Sequence, residues 1–122
     1  MKGVLICGHG RFAEGILSGL QMIAGNADNV RAVCFTEEDT SETLMEKIES
    51  ADRSLAGYEG RVVFCDLAGG SPFQMSAMYF RGRGVPVIGG ASTAMILEVY
   101  MLDEPESQAV DVGRQAVKMI NA

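Results

Sequence analysis

The sequence predicts an α/β fold: an open, mainly parallel four-stranded sheet with helices on both faces, in a single domain over residues 1–122. Short apolar runs alternate along the chain with segments whose apolar residues recur at helical spacing. That alternation is typical of a parallel sheet built from right-handed crossovers. Glycine-bearing turns follow three of the apolar runs, and 122 residues leave room for one hydrophobic core.

Four strands are predicted where apolar and mostly β-branched residues run together, at residues 3–7, 30–35, 61–65 and 85–88. Pro86 lies inside the fourth run. Because proline donates no backbone hydrogen bond, it indicates an early-strand position or an edge strand.

Five helices are predicted from apolar residues three or four positions apart. In chain order these residues are Phe12, Ile16, Leu17, Leu20 and Ile23; Leu44, Ile48, Ala51 and Leu55; Phe73, Ala77 and Phe80; Met95, Val99 and Leu102; and Ala109, Val112, Ala116, Val117 and Ile120. Asp39 and Glu42 resemble a capping pair for the second helix. Ser71 is a good N-cap for the third, with Pro72 at its first position. Residues 103–106 are predicted to break the chain before the last helix.

The composition is that of an acidic globular protein. Hydrophobic residues make up 48% of the chain, charged residues 21%, and the net charge is −6. The negative charge argues against nucleic acid as a partner. No apolar run approaches the roughly 18–20 residues of a membrane span, and the first residues lack the features of a secretory signal. The protein is therefore expected to be cytoplasmic.

Several kinds of site are excluded by the absence of their motifs. Cys7, Cys34 and Cys65 contain no C-x-x-C pair, so zinc-site spacing is absent and they are expected to be reduced packing residues. No glycine turn matches G-x-G-x-x-G or the G-x-x-x-x-G-K-[ST] phosphate loop. No pair of acidic residues follows the first strand, which counts against a Mg²⁺-dependent aspartate receiver. The sequence therefore predicts neither a metal nor a cofactor.

The polar residues that could take part in catalysis lie at one edge of the predicted sheet. His9, the only histidine, follows the first strand, and Asp66 follows the third. Gly69 and Gly70 then allow a sharp turn into a helix that begins near Ser71, and the free amides at a helix start favour an anion such as phosphate. Since the carboxyl ends of parallel strands meet at one edge, these residues are predicted to share a crevice.

Two of these assignments have a simpler alternative. His9 could be a satisfied structural histidine, and Ser71 could be a helix cap, a phosphate ligand or both. The glycines on either side of His9 and the carboxylate predicted opposite it favour a functional role for the histidine.

The motifs resemble those of the enzyme IIA proteins of the mannose/fructose/sorbose class of the bacterial sugar phosphotransferase system. The matching stretches are Gly8-His9-Gly10 with Phe12-Ala13-x-Gly15, Asp66-x-x-Gly69-Gly70-Ser71-Pro72-Phe73, and Ile88-Gly89-Gly90 through Met95-x-Leu97-Glu98. The resemblance covers nearly the whole chain, and the second stretch is its most specific part.

The resemblance implies a function, partners and a role for each site residue. His9 would be the phosphorylated histidine, with Asp66 as its partner. Phospho-HPr would be the donor and an enzyme IIB the acceptor, which in turn phosphorylates a sugar carried through a membrane permease complex. The family usually forms homodimers. No IIB domain or linker follows in the sequence, so the IIB is expected to be a separate protein.

The resemblance and the chemistry of imidazole together suggest a mechanism. We expect Nδ1–H of His9 to face Asp66, which leaves Nε2 to attack phosphorus. The backbone amides near Gly70 and Ser71, with the Ser71 hydroxyl, are candidates for holding the phosphoryl oxygens. Arg11 is expected to be exposed, although it could add positive charge.

The sequence departs from the family pattern at four positions. Arg11 and Ala68 stand where family members often have an aromatic residue, which indicates different partner docking. Ser92 and Ala94 stand where the third motif commonly has Asn and Pro, and this leaves the role of that loop open.

Two other functions are compatible with these motifs. One is the phosphotransfer subunit of a dihydroxyacetone kinase, whose phosphohistidine domain has a similar fold. The other is a regulatory domain whose phosphorylation controls a protein–protein interaction, as in some transcriptional activators. The Gly-His-Gly and Gly-Gly-Ser-Pro-Phe motifs favour the sugar phosphotransferase system over both.

Overall fold

The computed structural model describes residues 1–101 and 106–121 and has the predicted α/β architecture. Strands and helices alternate as β1 (Gly3–His9), α1 (Phe12–Ala24), β2 (Val30–Phe35), α2 (Ser41–Ser54), β3 (Arg61–Cys65), α3 (Ser71–Tyr79), β4 (Val87–Ile88), α4 (Thr93–Met101), a 3-10 turn (Glu106–Gln108) and α5 (Ala109–Gln115). The sheet order is β2-β1-β3-β4, and every pairing is parallel. The predicted fold class is therefore confirmed.

The sheet separates two hydrophobic clusters, one on each face. Alternate residues of β1 point to opposite faces, so that Val4 and Ile6 enter one cluster while Leu5 and Cys7 enter the other. Helices α1, α4 and α5 cover the first cluster, and α2 and α3 cover the second. Because β1 and β3 are buried on both faces, their sequences are nearly continuous apolar runs, as is usual for the central strands of parallel sheets.

An ionic cluster around the buried Asp52 joins three elements on the α2–α3 side. Asp52 Oδ1 accepts a hydrogen bond from Arg61 Nε at 2.6 Å, and Oδ2 accepts from the Tyr79 hydroxyl at 2.8 Å and from Arg83 Nη1 at 3.1 Å. Burial opposes ionisation of Asp52, but the bonds from Tyr79, Arg61 and Arg83 together lower the pKa of its carboxyl below the ordinary value. The Asp52 cluster thereby ties the end of α2 to β3 and to the end of α3.

The caps of α2 and α3 differ from those predicted. Thr40, rather than Asp39, is the N-cap of α2, and it forms a reciprocal capping box with Thr43. Gly70, rather than Ser71, is the N-cap of α3, so Ser71 is its first helical residue. Pro72 lies in the first turn, where backbone amides have no intrahelical acceptor. Its missing N–H therefore removes no hydrogen bond from the helix.

Two elements are shorter than predicted. β4 has only Val87 and Ile88, although the carbonyl of Pro86 still accepts a hydrogen bond from Val63 N at 3.0 Å. Helix α5 ends at Gln115, because the apolar residues beyond it, such as Ile120, find no core surface and remain exposed. Residues 102–105, which hold Leu102 and most of the predicted break, lie outside the described residues.

Besides the residues beyond α5, two further predicted core positions are exposed. Ile23 in the last turn of α1 faces away from the cluster that Leu20 enters. Ala77 in α3 is also exposed, because α3 buries the positions of Pro72, Ser76 and Phe80, which are four residues apart. Cys7 and Cys65 are free and buried, as expected for packing residues, and Cys34 is half-buried.

Candidate functional site

The structure brings His9 and Asp66 together at the carboxyl edge of the sheet. His9 is the last residue of β1, and Asp66 directly follows β3, the strand paired with β1. The imidazole Nδ1 lies 2.8 Å from Asp66 Oδ2. The His9 side chain is 43% exposed and the Asp66 side chain only 14%, so the carboxylate lies beneath an imidazole that solvent can reach.

Asp66 is held as an ionised hydrogen-bond acceptor. Besides the imidazole, Oδ2 accepts the backbone N–H of His9 at 2.9 Å, and Oδ1 accepts the backbone N–H of Leu67 at 2.9 Å. Burial opposes ionisation, but the bonds from His9 and Leu67 outweigh it and lower the pKa of the Asp66 carboxyl. Because a carboxylate can only accept, Nδ1 must carry a proton, and in the neutral imidazole this leaves the Nε2 lone pair free.

Two glycines make room for this pair. A Cβ atom on Gly70 would lie 2.9 Å from His9 Cε1 and 3.6 Å from Nε2, so the helix start abuts the imidazole. A Cβ atom on Gly8 would lie 2.5 Å from Phe12 Cδ1 and 3.1 Å from the carboxyl carbon of Asp66. Glycine is therefore required at both positions by close approach.

The start of α3 presents backbone amides beside His9. Gly70 offers no side chain, and no side chain caps the helix. Gln74 satisfies two carbonyls here, as its backbone amide donates to Gly70 O at 2.9 Å and its side chain to Gly69 O at 2.8 Å. Gly69 makes the turn with a φ of +86°, which an L-residue would strain to adopt. The positive end of the helix dipole thus lies next to Nε2.

Comparison with known proteins identifies the family. A family model described as "PTS system fructose IIA component", of the EIIA-man type, matches residues 3–116. The chain belongs to this family. It is thus a IIA component of the mannose/fructose/sorbose class of the phosphotransferase system (PTS), a class of phosphotransfer proteins that serves sugar transport. The resemblance inferred from the motifs is confirmed.

Individual relatives agree with this assignment. The chain is 32% identical to the mannose-specific EIIAB component of Escherichia coli K12 over 98% of its own length. It spans only 39% of that relative, or about two fifths. It is also 29% identical to the fructose-specific EIIA component of Bacillus subtilis, covering 85% of this chain and 72% of the relative.

A solved structure supports the same fold. The mannose/sorbose-specific IIA subunit of Enterococcus faecalis superposes with a TM-score of 0.87 at 27% identity, covering 100% of this chain and 97% of that one.

The third glycine turn of this IIA chain packs against the second. A Cβ atom on Gly89 would lie 2.6 Å from Ala68 Cα, so the turn after β4 touches the loop that follows Asp66. Ser92 Oγ accepts a hydrogen bond from Met95 N at 3.2 Å at the start of α4. The structure therefore gives the atypical Ser92 a helix-capping contact.

Phe35 is a site residue that the sequence analysis missed. Its ring centroid lies 5.8 Å from that of His9, with an angle of 71° between the rings. The available signal was topological: β2 pairs with β1, so its last residue reaches the same edge. Arg11, in contrast, is exposed as expected and pairs with Glu14 at 3.2 Å.

Two features are absent from the described residues. Residues 1–101 and 106–121 contain no group of three or more His, Cys, Asp or Glu side chains placed to hold a metal ion. In the same part of the chain, no helix is both long and apolar enough to cross a membrane.

Proposed function

We propose that this IIA chain is a phosphocarrier of the cytoplasm that accepts a phosphoryl group on His9 from phospho-HPr and passes it to an enzyme IIB for sugar uptake. The observation that carries the proposal is the His9–Asp66 pair: Nδ1 is bonded to a carboxylate at 2.8 Å, and Nε2 faces the glycine-bearing start of α3. The pair lies in a chain that belongs to the IIA family.

The proposed reaction is a displacement at phosphorus. The Nε2 lone pair of His9 forms the new N–P bond while the bond from phosphorus to HPr breaks, and the electrons of that bond leave with HPr. The imidazole becomes cationic, and Asp66 stabilises it through the Nδ1–H bond. Transfer to IIB reverses these roles, since phosphohistidine is then the donor and the neutral imidazole is regenerated.

Gly70 and Ser71 are proposed to bind the phosphoryl oxygens. Charge on the peripheral oxygens is what a phosphotransfer site must stabilise. The helix start next to His9 supplies backbone amides and a dipole, and the Ser71 hydroxyl adds a donor. Gly70 contributes in addition by letting the backbone approach the imidazole.

The test uses the fact that His9 is the only histidine. The chain is incubated with phosphoenolpyruvate, enzyme I and HPr, and its intact mass is measured. We expect one phosphoryl group, lost in acid and stable in alkali as for a phosphoramidate, and no gain by His9→Ala. An aspartyl phosphate would instead be lost in alkali or hydroxylamine. Phosphorylation of His9→Ala would overturn the proposal.

The acceptor is tested separately by adding the purified phosphorylated chain to a IIB. Loss of the phosphoryl group to IIB supports the sugar-uptake role. Transfer only to a nucleotide bound by a dihydroxyacetone kinase, or stable capture of a transcriptional regulator without transfer to IIB, would favour the alternative functions.

The protein is further proposed to act as a homodimer. Val117, Met119 and Ile120 are each at least 79% exposed, and β4 forms one edge of the sheet. Burying those side chains against a second copy would remove them from water. Light scattering at micromolar concentration should give twice the chain mass, and a monomer would contradict this proposal.

A further inference from the structure

Phe35 stands directly across from His9 on the neighbouring strand. The two residues are Cα partners in the β1–β2 register, and Gly10 N donates a hydrogen bond of 2.8 Å to Phe35 O. The backbone of Phe35 is thus fixed to the segment that carries the imidazole. Because the sheet order is β2-β1-β3, Phe35 approaches His9 from one side, and Asp66 and Gly70 approach it from the other.

The ring contact is of a kind that restricts orientation. A centroid distance of 5.8 Å with an interplanar angle of 71° is an edge-to-face arrangement. The His9 side chain is 43% exposed, so burial alone does not fix it. The bond to Asp66 holds one ring atom, Nδ1, and a single bond leaves the ring free to tilt about that atom. The Phe35 ring restricts that tilt.

Phe35 is itself held on both sides by a salt bridge. Lys47 Nζ donates to the carbonyl of Cys34 at 3.0 Å and to Asp39 Oδ2 at 2.6 Å. Asp39 Oδ2 also accepts the backbone N–H of Thr36 at 2.8 Å. The residues before and after Phe35 are therefore bonded to one ion pair, whose carboxylate side chain is only 7% exposed.

We propose that Phe35 is a positioning residue for phosphotransfer: its ring holds the His9 imidazole in the orientation that keeps Nδ1–H on Asp66 and Nε2 toward Gly70. This inference rests on the proposed function of His9 as phosphoryl acceptor. The competing explanation is that Phe35 only fills the cluster beneath α2, against which it also packs.

The experiment compares Phe35→Leu, which keeps an apolar side chain but removes the aromatic ring, with Phe35→Tyr, which keeps the ring. Tyr58→Leu is the matched control, because Tyr58 is a half-buried aromatic residue of the same cluster that lies after α2, away from His9. Urea midpoints show that each variant is folded. If Phe35→Leu does not fold, Phe35→Met carries the same comparison.

Two readouts separate positioning from packing. The ¹⁵N shifts of the His9 ring, measured near pH 8.5 where free imidazole is neutral, report the tautomer without any phosphotransfer. We expect the Nδ1–H form in wild type and Phe35→Tyr, and averaging of the two tautomers in Phe35→Leu.

The transfer rate at saturating phospho-HPr should fall about two- to tenfold in Phe35→Leu, the range expected for loss of one aromatic pair, and stay unchanged in Tyr58→Leu.

The inference is overturned if Phe35→Leu keeps both the wild-type ring shifts and the wild-type saturated rate. It is also overturned if only the phospho-HPr concentration for half-saturation rises, since that would make Phe35 a docking residue. If Tyr58→Leu changes the ring shifts and the rate as much as Phe35→Leu does, the inference is overturned as well, because the effect would then come from general loosening of the cluster. Failure of the proposed function is distinguishable, because wild type would then take up no phosphate on His9 while the ring shifts still report the contact.

Discussion

Replacing Asp66 with asparagine should slow phosphotransfer through His9 whichever way the amide turns. Oδ1 of Asp66 accepts the Leu67 N–H, and Oδ2 accepts both the His9 N–H and Nδ1–H. If the new NH₂ group takes the Oδ1 position, the Leu67 amide loses its acceptor, and the cationic imidazole loses the negative charge that stabilises it, although the remaining oxygen still accepts Nδ1–H. If it takes the Oδ2 position, it faces the His9 amide and can only donate to Nδ1. The imidazole proton then moves to Nε2, and the nucleophilic lone pair is gone.

The size of the effect follows from these contacts. A hydrogen bond to a charged group contributes about 1.5–3 kcal/mol, which is about ten- to hundredfold in rate if it is lost only in the transition state. The wrong tautomer adds to this, and in serine proteases the corresponding Asp-to-Asn change lowers turnover by about 10⁴. We therefore expect Asp66→Asn to slow phosphotransfer by about 10²- to 10⁴-fold.

Rapid-quench transfer from phospho-HPr measures this rate directly. Ser71→Ala should be slowed less, because the backbone amides at the start of α3 remain when the hydroxyl is removed. Glu14→Gln makes the same carboxylate-to-amide change on the exposed face of α1 and should leave the rate near wild type. A rate for Asp66→Asn equal to that of wild type would refute the assigned role of the carboxylate.

Three further outcomes are expected. Gly70→Ala should lower transfer by about ten- to hundredfold, because its Cβ would lie 2.9 Å from His9 Cε1, whereas Gly19→Ala, whose Cβ meets nothing within 4 Å, should not. Asp52→Asn should lower the free energy of unfolding by about 3 kcal/mol in urea titrations, while Glu49→Gln, in an exposed pair on the same helix, should change it little. The urea midpoint of wild type should fall in acid.

The position of the site could be predicted because strand ends are encoded locally. Each apolar run stops where a polar residue or glycine begins, and His9 and Asp66 stand at two such boundaries. In a parallel sheet with short connections, those ends share one edge. The structure places β1 and β3 next to each other, and this pairing brings the two side chains within hydrogen-bond distance.

Contacts that depend on packing could not be predicted in the same way. Phe35 looked like an ordinary strand residue, and its contact with His9 depends on β2 pairing with β1 in one particular register. The Asp52 cluster joins Arg61, Tyr79 and Arg83, residues 9 to 31 positions away in the chain. Helical spacing likewise predicted Ile120 as a core residue, but burial requires a surface to pack against, and α5 ends before it.

The acid dependence follows from carboxylates whose pKa is lowered by folding. Lys47 and the Thr36 amide lower the pKa of Asp39; for Asp52 and Asp66, burial opposes ionisation but their hydrogen bonds outweigh it. A folded pKa below the ordinary 3.8 means that the unfolded chain binds protons first as pH falls. The stabilisation is therefore complete above about pH 5 and is lost progressively below it. Urea midpoints should be level from about pH 7 to 5 and drop toward pH 3, with a shallower drop in Asp52→Asn; a midpoint that holds steady or rises on acidification would show that these carboxylates are not what stabilises the fold.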